Sequence, residues 1–127
     1  MSGASIIAIV LVGVIAVFQV ALAAGAPFGA AAWGGRHPGV LPDGFRVASG
    51  IAGLIVYPAI AWLIADASGV TDAPGLPWSD ASALWALTGL FGLGAVANAA
   101  SRSRIERLWA PVSLGLAICC AVIARGA

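Results

Sequence analysis

Four stretches of the chain carry no charged side chain: residues 1–35, 47–65, 81–101 and 108–124. A helix needs roughly 17–25 apolar residues to cross a bilayer, so each stretch is long enough, or nearly so, for one crossing, and the arginines and acids punctuate them. The pattern predicts membrane helices at 4–24, 46–66, 81–101 and 108–125. The connections are then a long first loop at 25–45, a loop at 67–80 and a tight turn at 102–107. The expected fold is all-α: a polytopic four-transmembrane-helix bundle with a structured Gly/Pro-rich first loop, forming a single membrane domain over 1–127.

Composition agrees. Hydrophobic residues make up 61% and charged residues 9% of the 127, against about 25% charged in soluble domains, and four helices leave no length for a separate extramembrane core. Ser5 to Ala24 lacks the basic segment that precedes a secretory signal and exceeds the usual ~7–15-residue apolar run, which makes it the first membrane helix. The context of Gly3 does not suit myristoylation. The net charge of +1 averages two loops of opposite sign, and without a basic stripe no nucleic-acid partner is expected.

Arginines near helix ends set orientation. Arg36, Arg46, Arg102, Arg104 and Arg107 fall on one side and only Arg125 on the other, with Asp66, Asp72 and Asp80 around Ala73-Pro74-Gly75-Leu76-Pro77. The expectation is a plasma (inner) membrane protein with both termini outside and the loops at 25–45 and 102–107 in the cytoplasm. Trp33 and Trp109 then mark the inner interface, and Trp62, Trp78 and Trp85 the outer one, as headgroup-level anchors.

Within the spans, Ser49/Gly53, Ala95/Ala99 and Gly115/Cys119 are small-xxx-small pairs that predict close helix contacts, within one chain or between copies. Pro58 frees the carbonyl of Leu54 and predicts a kink, beside a Tyr57 placed near the bilayer midplane. Pro111 lies in the first turn of the fourth helix, where a missing N–H costs little. The adjacent Cys119 and Cys120 point about 100° apart, against a mutual disulfide, and read as packing residues.

Gln19 and Asn98 are the strongest polar intrusions, each within one or two turns of the arginine-rich end. Together with Arg36, His37, Arg46 and Glu106 they predict a polar cluster at the inner mouth. Its functional form is a vestibule for an anion or lipid headgroup, with Arg36 and Arg46 as ligands, Glu106 as counter-charge, Gln19 and Asn98 as hydrogen-bonding walls, and Tyr57 as a deeper contact. Its structural form is a network joining the two inner loops to the helix ends. The first loop is punctuated by Pro27, Gly29, Gly34, Gly35, Pro38, Gly39 and Pro42, with a helical turn expected at Ala30 to Trp33, so it reads as folded and packed on the bundle. His37 has no second imidazole, thiolate or carboxylate at metal spacing, and neither a metal, a cofactor nor a set of catalytic residues is expected.

The segments Gly25-Ala26-Pro27-Phe28-Gly29, Trp33-Gly34-Gly35, Leu41-Pro42 with Arg46, Asn98, Ser103, Glu106-Arg107 and Trp109-Ala110-Pro111 resemble a group of small four-helix bacterial integral membrane proteins. The resemblance implies that the first loop and the turn between helices three and four belong together, and brings no activity with it.

Three function classes follow. The first expectation is a non-catalytic accessory, assembly or lipid- or ligand-binding membrane component. The alternative is a small oligomeric channel or transporter for an anionic or neutral solute, which would lack the intramembrane charge common in coupled carriers. Last stands a membrane enzyme on a lipid substrate, with Glu106, Asp43 and His37 as its available groups. Candidate partners are the bilayer itself, an anionic headgroup or small anion at the cytoplasmic face, and a second copy or another membrane protein.

Overall fold

In the computed structural model, which describes residues 2–69 and 80–126, four helices are long and apolar enough to cross a membrane. We label them α1 (Gly3–Ala23), α2 (Asp43–Ala67), α3 (Asp80–Ala99) and α4 (Trp109–Gly126). The remaining ordered elements are short 3₁₀ turns at Gly29–Ala31, Trp33–Gly35 and Glu106–Leu108. Most of the segment expected at 67–80, with Asp72, the Pro/Gly run and Trp78, lies outside the described residues.

Local chemistry sets the helix ends. Ser2 caps α1, its Oγ accepting the Ser5 N–H at 3.2 Å. At the other end Gly25 takes φ +102°, and the N–H groups of Gly25 and Ala26 donate back to Leu22 and Ala21, a Schellman closure that only a left-handed residue permits. α2 begins three residues earlier than expected. Pro42 ends the loop, its carbonyl takes the Arg46 N–H at 3.0 Å, and Asp43 fills the first turn, where an acid suits the helix dipole. Ser103 closes the entry to α4 by accepting the Glu106 N–H at 3.4 Å, so that Ser103 and Glu106 stand at capping-box spacing.

Pro58 does not break α2. Upstream of it, Ala52–Val56 form a π-helical segment, in which the Tyr57 N–H reaches five residues back to the Ala52 carbonyl. The wider turn accommodates a proline ring that cannot donate to Leu54.

α1 is central. It packs against α2 on one side and α4 on the other; α3 lies along α4, and α2 touches α3 only lightly. Small residues permit the closest approaches. At Gly53 an added Cβ would sit 2.8 Å from the Ala16 carbonyl oxygen and 2.9 Å from the Val20 nitrogen, and at Gly115 it would meet Leu11 at 3.5 Å. The Ser49/Gly53 pair, with Ser49 fully buried, and the Gly115/Cys119 pair thus serve packing inside one chain.

The core occupies the half of the bundle nearest the chain termini: Ala8, Val12, Ile64, Leu84, Leu116, Cys120 and Ile123. A serine cluster closes that end, Ser68 Oγ donating to Ser5 Oγ at 2.7 Å, with Ser2 Oγ 2.9 Å from Ser5 Oγ. Toward the opposite end a smaller cluster of Leu22, Ala32 and Leu41 seats the first loop on α1.

Candidate functional site

The interior stripe of α1 runs Ser5, Ala8, Val12, Ile15, Leu22, a three-and-four spacing whose missing member is position 19. Gln19 therefore faces inward. Asn98 extends the stripe Leu84, Phe91, Ala95 of α3 in the same way, Ser113 heads the stripe of Leu116, Cys120 and Ile123 on α4, and Tyr57 follows Ser49 and Gly53 on α2. Each helix thus swaps an apolar interior residue for a polar one near the same level, just beyond the packed core.

These four side chains meet around a cavity of about 250 Å³, completed by Glu106 below and by Phe18, Trp33 and Trp109 as aromatic walls. Its volume exceeds several times the roughly 30 Å³ share of one liquid water. Gln19 Oε1 is buried without a donor among the described residues. The Tyr57 hydroxyl has no protein partner among the described residues, while Asn98 Nδ2 donates to Ser113 Oγ across a long 3.4 Å. Glu106 is 6% exposed and Oε2 accepts the Gly34 N–H at 2.8 Å; among the described residues no cation pairs with it.

The first loop makes the floor and is held by side chains from α2, α4 and the turn between α3 and α4. Trp33 Nε1 donates to Ser49 Oγ at 2.9 Å and Trp109 Nε1 to the Ala31 carbonyl at 2.9 Å. Ser103 Oγ donates to the Ala30 carbonyl. Successive left-handed residues, Trp33 at φ +51°, Gly34 at +82° and Gly35 at +71°, turn the Gly34 N–H toward Glu106. Tryptophan in that region is strained, and such strain persists only where surroundings enforce it; here the indole bond to Ser49 and the tilted contact with Phe45 at 5.6 Å do so.

A second cleft of about 620 Å³ adjoins the cavity, and both are open to the surface to about the same degree; it shares Trp33, Asn98 and Glu106 with the cavity and adds Arg36 and Arg102. Both guanidinium groups are exposed, and among the described residues neither has a carboxylate partner. On the other flank an apolar groove of about 470 Å³ runs past Phe28, Ile105, Leu108 and Val112 and shares Phe18, Ala31 and Trp109 with the cavity.

Of the residues singled out from sequence, Gln19, Tyr57, Asn98 and Glu106 line one cavity and Arg36 its mouth. Two stand elsewhere. Arg46 donates Nε and Nη2 to the Ala23 carbonyl, 3.1 Å each, satisfying the end of α1, where a cation suits the dipole; it therefore neither faces Glu106 nor enters the vestibule. His37 packs on the Phe45 ring at 4.9 Å on the outside of the loop. The counter-charge role expected for Glu106 is replaced by its bond to the Gly34 amide. Sequence reasoning missed Phe18, Trp33, Trp109 and Ser113 as lining residues. Trp109 is half-buried, bonded to the loop and tilted against Phe18 at 4.9 Å, so it is a wall of the cavity and not simply a headgroup anchor. One signal was available for it: its place beside Glu106 and ahead of Pro111.

No protein-family model, curated protein or solved structure matches the chain.

Proposed function

We propose that this protein is a non-catalytic binding component of the membrane, which takes a small polar molecule or a lipid headgroup into the chamber between its four helices. One observation carries the reading: each helix places a polar side chain at the same level, and one of them, Gln19, buries an acceptor with no donor among the described residues. An unmet buried acceptor costs about 1–3 kcal/mol, a cost that a bound donor removes. Of the four, only Asn98 and Ser113 bond to each other among the described residues, across a long 3.4 Å, whereas the three serines at the other end bond at 2.7 and 2.9 Å.

A pore through one chain is less well supported. Ile15 and Ala52 are apolar lining of the chamber on α1 and α2, and the described half of the bundle nearer the termini is packed with apolar side chains, Val12, Leu84, Leu116 and Ile64 each being at most 1% exposed. In the orientation we favour, the arginine-rich mouth faces the cytoplasm of a bacterial cell across the plasma membrane, and both termini lie outside.

Native mass spectrometry of the chain released from nanodiscs tests the proposal. The expected result is one retained lipid or small molecule per chain, with occupancy falling at least tenfold in Gln19→Leu and in Tyr57→Phe. A chain that leaves every lipid composition bare, with intrinsic fluorescence unmoved by any solute, would overturn it.

A further inference from the structure

The distribution of charge around the chamber says more about its occupant than its volume does. Inside stand Glu106, a carboxylate with no cation among the described residues; Gln19, a carbonyl with no donor among them; and the rings of Phe18, Tyr57, Trp33 and Trp109. Acceptors and aromatic walls together suit an ammonium group: its N–H donors meet the oxygens and its charge meets the ring faces. Outside, in the cleft that shares Trp33, Asn98 and Glu106, stand Arg36 and Arg102, guanidinium forks of the geometry that binds phosphate oxygens. The order is acceptor within and cation at the rim.

We propose that the chamber recognises a phosphoethanolamine group, a primary ammonium and a phosphate joined by two carbons, with the ammonium on Glu106 and Gln19 and the phosphate between Arg36 and Arg102. This rests on the binding reading above and narrows it. A simple anion uses only the rim and leaves Glu106 opposed to it; a simple cation uses only the interior and meets two arginines on entry. A zwitterion of this polarity satisfies both. The same chemistry comes as a free solute or as the headgroup of an aminophospholipid, and the apolar groove beside Phe18 and Trp109 adjoins the chamber on the membrane flank.

The test uses the full chain in nanodiscs of phosphatidylcholine, titrated with O-phosphoethanolamine, ethanolamine, inorganic phosphate and glycerol 3-phosphate and followed by tryptophan fluorescence. A parallel arm replaces part of the lipid by phosphatidylethanolamine or phosphatidylglycerol and counts retained lipids by native mass spectrometry. Phosphoethanolamine should bind at least tenfold more tightly than ethanolamine, phosphate or glycerol 3-phosphate; if instead the free solute is ignored and phosphatidylethanolamine alone is retained over phosphatidylglycerol, the source is the lipid and the proposal stands. Gln19→Leu and Glu106→Gln should abolish that preference, and Arg36→Gln with Arg102→Gln should weaken every phosphate-bearing probe. Because Glu106 also holds the Gly34 amide, Gln19→Leu, which breaks no bond, keeps the test valid if Glu106→Gln misfolds. Equal binding of glycerol 3-phosphate or of phosphatidylglycerol overturns the ammonium assignment while leaving the chamber a binding site. Silence from every probe and lipid overturns both.

Discussion

Gln19 and Arg46 are both polar groups near the loop end of the bundle, and their hydrogen bonds separate their roles. Arg46 gives two N–H groups to the Ala23 carbonyl at the end of α1, so Arg46→Met should lower stability by about 1 kcal/mol, the scale of a cation at a helix C-terminus, without altering ligand affinity. Gln19 gives its acceptor nothing. Gln19→Leu should therefore leave the empty protein's melting temperature in detergent unchanged or higher, because it removes an unmet polar atom and fills the stripe of Val12, Ile15 and Leu22. A clear drop in melting temperature for Gln19→Leu would show that the amide is structural and remove the basis for a chamber built around it. From sequence alone Gln19 was visible as a polar intrusion, but its orientation was not. In a helix apolar on every face, the spacing of hydrophobic residues does not mark the buried side, and only the neighbours that cover Ala8 and Val12 do.

At the scale of elements, the first loop and the turn before α4 behave as one unit. Gly35 shows why glycine is required there: φ is +71°, and a Cβ would lie 2.5 Å from the Ser103 Cβ. Gly35→Ala should cost about 1–3 kcal/mol through strain and overpacking and should expose the Ala30–Gly34 backbone, read as faster amide exchange confined to the loop and residues 101–108. Uniform acceleration along the chain would instead mean that the loop is not a separate unit. Gly53→Val tests the α1–α2 contact on the same scale: with Ala16 and Val20 already at van der Waals limits, the larger side chain should separate the helices and destabilise by about 1–3 kcal/mol. The pairing of the loop with the turn was readable in outline from the glycine and proline punctuation of the loop and from the polar and charged residues at both. The π segment was not. Pro58 announces a disturbed turn, but the sequence does not say that the turn is widened, with the Tyr57 N–H bonded to the Ala52 carbonyl, nor that the widened segment includes Gly53, where α1 comes closest.

For the whole molecule, the number and extent of the helices followed from hydropathy, because in a bilayer every backbone donor and acceptor must be satisfied within the spanning segment, which leaves few ways to arrange four uncharged runs. Orientation depends on something outside the fold. Among the described residues, the loop end bears Arg36, Arg46, Arg102, Arg104 and Arg107 against Asp43 and Glu106, whereas the end with the termini bears Arg125, Asp66 and Asp80. Positive residues in short loops are retained on the cytoplasmic side during insertion, and from five against one we predict a single direction, with the loop end in the cytoplasm. Val40 is 53% exposed at the loop end and Ser2 is exposed at the other, while Cys119 and Cys120 are buried and can be replaced by alanine as background. In intact cells a membrane-impermeant maleimide should then label Ser2→Cys and leave Val40→Cys untouched until the membrane is permeabilised. The reverse pattern would place the mouth of the chamber outside and make an external solute its source, and labelling of both positions would mean that the chain inserts in two directions despite its arginines. With the expected pattern, Arg36 and Arg102 lie where headgroups of the cytoplasmic leaflet and phosphorylated solutes of the cytosol both reach them, and the choice between those two falls to the phosphoethanolamine titration.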